Sequence, residues 1–484
     1  MNRACVFVSA AALLAAGCRV PPPAPPPPAI APAVNTPADR FKEADGWHPS
    51  QPADAVVRGP WWEVFNDSDL NAFEQQIEIS SQDLKAAEAR FRGARAAVGY
   101  NRASELPTIS TVPTISGTEK SNYAPNPPSS TSLNPNGDFV LPLDLSYEID
   151  IWGRVRRIVQ ASQEEAQATA ADLESVRLLL HAELALDYFY LRASDSQKNL
   201  LDQTVESYRQ ALELTTNRFN EGAAPKSDVT QAQSQLQSAM VADSDTAIQR
   251  AQYEHAIAIL CGRSPSEFSV PVDVHAFVPP DVPTGLPSQL LERRPDIAAA
   301  ERRVSEANER IGLAKIAYYP TISLAALAGF EGHSLPTWIN APSRIWSVGN
   351  AVNETLFDAG RRRANTQIAV ASYDAYVAAY RSTVLQAFED VEDNLAALRV
   401  LDREVQQQRD ATSAAEESLD IVTNRYREGA SPYLQVLTAQ TIALADERNE
   451  IDIQRRRMGA TVLLIKALGG GWSQSSLPQL KDLR

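Results

Sequence analysis

Thr216-Asn-Arg-Phe-Asn-Glu-Gly-Ala-Ala-Pro225 and Thr423-Asn-Arg-Tyr-Arg-Glu-Gly-Ala-Ser-Pro432 are two versions of one segment, and their recurrence decides the architecture. Arg218 and Arg425 stand 207 positions apart, and the same offset carries Gly153-Arg154 onto Gly360-Arg361. The likeness runs on past the prolines, where Val229, Ala232 and Gln233 match Val436, Ala439 and Gln440. Upstream, at a slightly different offset, Asp83-Leu-Lys-Ala-Ala-Glu-Ala-Arg90 resembles Asp296-Ile-Ala-Ala-Ala-Glu-Arg-Arg303. Leu106-Pro-Thr-Ile-Ser110 likewise resembles Tyr319-Pro-Thr-Ile-Ser323. The offset changes between Ser110 and Phe139, which points to an insertion in a loop. A unit of about two hundred residues is far longer than the roughly 20–50-residue period of solenoid repeats. The chain is a duplicated half-molecule.

Each half repeats one order of elements. A helical pattern (about 67–104, and about 287–317) leads to a Pro-Thr-Ile-Ser strand start, a polar loop, a second strand, Gly-Arg and a very long helical pattern. The long helices are expected from near Arg154 to Glu221 and from near Arg361 to Glu428, and neither contains a proline. At about 1.5 Å of rise per residue, each spans about 100 Å. Gly222 and Gly429 stop them, with Pro225 and Pro432 close behind, the usual punctuation of a helix C-terminus. Return helices follow over about 226–261 and 433–468, giving hairpins over 154–262 and 361–468. Helices this long bury a stripe only by packing lengthwise on one another.

Four strands are expected, over about 106–119, 138–152, 320–332 and 345–357. From Phe139 to Ile151 the alternation is strict. Phe139, Leu141, Leu143, Leu145, Tyr147, Ile149 and Ile151 share one face, and Pro142, Asp144, Ser146, Glu148 and Asp150 share the other. That is the pattern of a transmembrane strand, with Trp152 where an interfacial aromatic belongs. A half-buried strand of a soluble sheet has the same period. On the membrane reading, Asp144, Glu148 and Asp150 face a lumen. Thr321–Phe330 is apolar on both faces, and Ser347–Phe357 carries Glu354 at a parity that the repeat makes apolar. Four strands enclose no lumen, and lipid forbids an open sheet edge. The barrel is therefore expected to be shared among identical chains, with an even total of strands.

The net charge of −15 argues against a nucleic-acid partner, which needs clustered Lys and Arg. No run of 18 or more apolar residues follows the N-terminus, which leaves a soluble chain or one that spans by strands. Arg3 precedes an apolar run from Ala4 to Ala16, as in a secretory signal over 1–17. Leu14-Ala15-Ala16-Gly17-Cys18 resembles the bacterial lipoprotein box, which implies diacylglycerol and an N-acyl chain on Cys18. The other reading is an ordinary signal with an incidental cysteine. Arg19 follows, where no Asp stands, and by resemblance this implies sorting to the outer membrane. One acylated residue tethers and does not span. A Pro-rich linker follows within 18–40, then the first repeat over 41–280, the second over 281–470, and a tail over 471–484.

An enzyme is not expected. His48, His181, His255, His275 and His333 are scattered without metal-ligand spacing. Gly469-Gly-Gly471 lacks the residues of a phosphate loop and reads as a helix terminator. Cys261, alone in the mature chain beside Cys18, sits in an apolar helix pattern and reads as core. Acyl chains aside, no cofactor is implied.

The duplicated strand–strand–hairpin order, the two Asn-Arg-Phe/Tyr-x-x-Gly tips and Phe357-Asp-Ala-Gly-Arg-Arg-Arg363 together resemble the TolC-like outer membrane factors. The likeness is to the lipoprotein branch, which includes OprM and NodT. The resemblance implies a mainly α fold with a β-barrel portion: a homotrimer with a twelve-stranded barrel in the outer membrane of a Gram-negative bacterium. An α-helical tunnel would continue it through the periplasm. It implies an exit duct that docks on a periplasmic adaptor and an inner-membrane pump, and that exports drugs, metals or proteins.

Arg218, Gly222, Pro225, Arg425, Gly429 and Pro432 are then the expected adaptor-docking tips. Alternatively, the arginines only favour a helix C-terminus electrostatically. Family members often close the periplasmic end with Asp residues after the second tip, but here Gln435 and Thr438 stand there. Tyr433 and Leu434 are instead candidates for a constriction that gates by dewetting, unless Leu434 packs between helices. The competing function is a lipid-tethered periplasmic coiled-coil adaptor. It explains the hairpins and leaves the 139–151 alternation without a purpose.

Overall fold

The computed structural model describes residues 60–119, 121, 123, 136–274, 279–280, 293–480 and 482–483. The signal, Cys18 and the linker lie outside the described residues. The elements are α1 (Ser68–Ser80), α2 (Gln82–Arg102), β1 (Thr108–Ser110), β2 (Thr114–Thr118), β3 (Asn136–Glu148), α3 (Arg154–Asn220) and α4 (Lys226–Leu260). The second half contributes α5 (Pro295–Ile316), β4 (Thr321–Gly332), β5 (Arg344–Asn353), α6 (Arg361–Arg427) and α7 (Tyr433–Ala467).

The repeat offset is kept to the residue. Both long helices have 67 residues and both return helices have 35. Gly153 and Gly360 precede the long helices in left-handed conformations, φ +79 and +87. Gly222 (φ +75) and Gly429 (φ +79) end them. At the first tip the Gly222 and Ala223 amides donate to the Phe219 and Arg218 carbonyls at 2.9 and 2.8 Å. At the second, Gly429 and Ala430 do the same to Tyr426 and Arg425, at 3.0 and 2.8 Å. These paired bonds satisfy carbonyls that a helix end leaves orphaned, and glycine adopts the required φ without a Cβ penalty.

The expected helix over 67–104 is two helices. Ser81 leaves the helical conformation between them (φ −54, ψ 126) and caps α2, its hydroxyl accepting from the Leu84 amide. Asp67 caps α1 through the Asp69 and Leu70 amides. The break lets α1 fold onto α3, burying Leu70, Ile77 and Leu84 with Leu184, Tyr188 and Leu191 in the main core. That core sits where α1, α3, α4, α6 and α7 meet. Cys261 is buried in it, and burial pushes its thiol up to about 12, so it is core as expected.

A buried histidine with its carboxylate partners adds a pH dependence. His181 on α3 lies 2.6 Å from Glu74 and 3.1 Å from Glu78, with its ring stacked on Trp62. Burial raises Glu74 to about 7 although His181 opposes it. Burial also works against a charged His181, but the two carboxylates outweigh it and hold the imidazole above its ordinary value. The His181 hydrogen bond holds Glu78 below its own. Glu74 and His181 therefore bind protons more tightly when folded, and their stabilisation is lost as pH rises through their folded values. Glu78 acts in the opposite sense, below its unfolded value. Thermal unfolding is expected at lower temperature at about pH 8 than at about pH 6. Glu74→Gln should flatten that difference; an unchanged slope would reject the assignment.

The strands form one antiparallel sheet in the order β1–β3–β4–β5, with β2 pairing farther along β3. The first expected strand is thus two pieces. Pro113 has no amide to donate, and the chain leaves the ladder over 111–113. There the Thr111 hydroxyl donates to the Pro142 carbonyl at 2.6 Å, replacing a ladder bond.

Candidate functional site

Register assigns the two faces of the sheet. Ile109 lies opposite Leu145, Ile115 opposite Phe139, Leu141 opposite Phe330, Leu143 opposite Ala328, and Ala328 opposite Trp346. Ala326 pairs with Leu145 on one side and Val348 on the other, and Ile322 pairs with Val352. All these residues share one face, interrupted by Asn350. It is exposed in the single chain: Trp346 by 78%, Ile109 and Val348 by 67%, Leu143 by 56%. A continuous apolar sheet face of this kind matches the lipid-facing band of a membrane barrel. Among the described residues no helix is long and apolar enough to cross a membrane.

The opposite face carries Thr108, Ser110, Thr114, Ser116, Asp138, Asp144, Ser146, Ser323, Gly329, Glu331, Ser347 and Asn353. The lumen acids expected from alternation need correction. Asp144 lies on this face. Asp150 does not, because β3 ends at Glu148. The Asp150 carboxylate instead accepts from the Val155 and Arg156 amides at 3.0 and 3.1 Å and pairs with the Arg156 guanidinium. It satisfies orphan donors at the start of α3. Glu148 lies on the Asp144 face as well, opposite Ser323, and is held there by a two-pronged contact from Arg154. Asp138 and Glu331 are the acids that the sequence reading missed, and Glu331 stands opposite Val140. The strand expected over 345–357 ends at Asn353. Glu354 lies beyond it and pairs with Arg362, which removes its parity conflict. Trp152 lies just beyond the end of β3, stacked on Tyr319 with its indole donating to the Pro320 carbonyl.

At the other pole the two hairpin tips lie side by side. Ala232 from the first packs with Tyr426, Tyr433 and Val436 of the second, backed by Leu212, Leu214 and Leu437. The arginines, alike in sequence, differ in place. Arg218 is half-buried, and its guanidinium donates to the Tyr426 and Arg427 carbonyls at 2.7 and 3.0 Å. It also lies over the Tyr426 ring, 4.7 Å from the centroid. It caps the end of α6 and locks one tip to the other, so the expectation of a free outward donor does not hold for Arg218. Arg425 is exposed, as are Gly222, Pro225, Gly429 and Pro432.

The gate candidates also separate. Tyr433 is 2% exposed, with its ring 5.3 Å from that of Tyr426, so it packs between helices and lines no passage within the chain. Leu434, Gln435 and Thr438 are exposed, Leu434 by 59%, and Leu434 and Thr438 lie one turn apart on the same helix face. Among the described residues, no cluster of His, Cys, Asp and Glu could hold a metal ion.

Residues 74–263 and 286–470 match the outer membrane efflux protein family. The probable efflux pump outer membrane protein SepC of Pseudomonas putida is 31% identical over 439 residues, covering 88% of each chain. The solved outer-membrane channel OprN superposes with a TM-score of 0.83 at 27% identity, covering 94% of this chain and all of that one. The Campylobacter jejuni CmeC outer membrane channel gives 0.81 at 25% identity, covering 94% and 97%. The two matched segments are the two structural repeats, each with its long hairpin and its share of the sheet. The chain belongs to the outer membrane efflux protein family.

Proposed function

We infer that the protein is the outer-membrane exit duct of a tripartite efflux system, working as a homotrimer that conducts passively. The observation that carries this is the open sheet. Its edges are β1 and β2 on one side and β5 on the other, and one of its faces is apolar and exposed. β5 runs antiparallel to the direction of β1 and β2, so a neighbour's first strand continues the order. Closure is required in lipid. Two chains would make eight strands, a barrel whose interior side chains fill. Three make twelve, with six hairpins continuing the wall. A soluble tethered adaptor has no use for such a face.

The family is a transport family, and the energy for export comes from elsewhere. The exposed turns around Gly222, Pro225, Gly429 and Pro432 are the surface for a periplasmic adaptor, which links to an inner-membrane pump. Leu434 and Thr438 are the residues that would narrow the passage. The test is migration of unheated outer-membrane extracts. A heat-sensitive band near three times the chain mass supports the duct, and a monomer in the soluble fraction would refute it.

Two further outcomes are expected. Cys18→Ser should abolish labelling by a palmitate analogue and leave the trimer intact, since strands supply the membrane span; persistent labelling would refute lipidation at Cys18. The pore should prefer cations, because Asp138, Asp144 and Glu331 enter the lumen from each chain. Reversal potentials under a salt gradient should shift towards anions in the variant Asp138→Asn/Asp144→Asn/Glu331→Gln. Wild-type selectivity in that variant would overturn the inner-face assignment.

A further inference from the structure

Between the main core and the tips, α3 of the first hairpin and α6 and α7 of the second line a cleft of about 860 Å³. Gln440, Leu444, Glu447, Ile451, Gln454 and Met458 of α7 border it, spaced four and three apart as one stripe of a helix. A stripe that only joined the hairpins would be apolar throughout. Here every second member is polar, and Thr412 and Glu416 bring the same chemistry from α6. These polar groups are unmatched. Thr412 is 7% exposed and Gln440 6% exposed, yet the Thr412 hydroxyl and the Oε1 atoms of Gln440 and Gln454 have no hydrogen-bond partner among the described residues. Burying such atoms unpaired is costly unless something else pairs them. The charges are unbalanced in the same way. Arg409, Arg455 and Arg457 border the cleft and hold Glu450, Asp452 and Asp402 at 3.4, 2.7 and 2.6 Å. The buried Arg192 holds Asp69 and Asp195. Glu416 and Glu447 hold no cation among the described residues. Burial, with the Glu416 and Glu450 charges beside it, keeps the Glu447 carboxyl above its ordinary value. Duplication did not supply these groups: the 207-residue offset carries Thr412, Glu416 and Glu447 onto Val205, Arg209 and Met240.

We propose that this cleft is a binding site for an elongated organic cation, an amine with an apolar body, held between the two hairpins of one chain. Its ammonium group donates to the Glu416 and Glu447 carboxylates. Further N–H groups reach the Gln440 amide oxygen and the Thr412 hydroxyl, and the apolar body lies on Leu444, Ile451 and Met458. The volume falls in the range of small-molecule sites, about 300–1,000 Å³. Carboxylates and acceptors without donors of their own select a cation over a neutral or anionic molecule of the same shape. The site goes beyond conduction, since it belongs to the wall of a single chain and needs no partner protein.

The probe is dansylcadaverine, a primary ammonium joined by an alkyl chain to a fluorescent ring, titrated against the full-length protein in detergent micelles. Its anisotropy should rise and saturate. The neutral analogue, in which a methyl group replaces the ammonium, should bind at least about tenfold more weakly, because hydrogen bonds to charged groups are lost. The double variant Glu416→Gln/Glu447→Gln should weaken the cation by a similar factor and leave the neutral analogue unchanged. Leu444→Trp should displace both by filling the cleft. A signal that does not saturate would mean partition into the micelle only, and would overturn the site. Equal affinity for the two probes would overturn it as well, and that comparison uses the wild-type chain, whatever the variants do to folding. Wild-type affinity for the cation in the double variant would remove the carboxylates from the site and overturn the proposal. Migration of the same samples on unheated gels reads the exit duct separately, so either reading can fail without the other.

Discussion

Leu143→Arg should abolish accumulation of the protein in the outer membrane. Leu143 lies near the middle of β3, 56% exposed, and faces outward beside Ala328 on the apolar side of the sheet. An arginine at the bilayer midplane of such a face costs about 2–4 kcal/mol. A trimer carries three copies, so the loss sums to roughly 6–12 kcal/mol, comparable with the whole stability of an ordinary domain. Ser146→Arg, three residues on and on the opposite face, should be accommodated by a wet lumen and change conductance alone. Fractionation and unheated gels read both variants. Equal accumulation of the two would mean that the register, and with it the assignment of inside and outside, is wrong.

Arg218→Ala should make the duct leak. The side chain supplies two charge-assisted hydrogen bonds to carbonyls at the end of α6, and a cation over the Tyr426 ring. Hydrogen bonds to charged groups contribute about 1.5–3 kcal/mol, and the carbonyls left behind are at a helix end with few other donors. The first and second tips of each chain should part, while the rest of the seam, including Tyr208 against the Gln440 carbonyl, holds the helices together. Trimer yield should be unchanged, single-channel conductance should rise, and cells should become sensitive to large antibiotics that the outer membrane normally excludes. If Arg218 acts mainly on an adaptor, the same variant would lose efflux with no leak, and that pattern would reject the lock.

The two kinds of site were not equally readable. Helix punctuation is local chemistry, so the glycines and prolines at the tips marked the hairpin ends to within a residue of α3, α4, α6 and α7. β3 was readable because large apolar and acidic residues alternate in it. β4 was not, because Ala325, Leu327 and Gly329 on its inner face contrast little with Leu324, Ala326 and Ala328 on its outer face. Parity also misled at Asp150. The alternation continued in sequence after the strand had ended, since a carboxylate at that spacing serves equally as a lumen charge or as a cap for the next helix. The partners Asp138 and Glu331 could have been found by extending the Asp144 parity along β3 and across to β4, once their register was known.

The sequence by itself determined the duplication, the length of the hairpins, their turns and the presence of a membrane-type strand. Each of these is encoded by neighbours within a few residues, through helix period, strand period and the φ preferences of glycine and proline. Only the tertiary structure decided which of two identical arginines is engaged. Arg218 and Arg425 have the same local surroundings, but the halves of one chain meet along one seam, and that seam gives Arg218 the carbonyls of α6 while Arg425 stays exposed. A repeat in sequence is symmetric. A single folded chain containing two repeats is not, because two units joined in a row share one interface and leave two open ends.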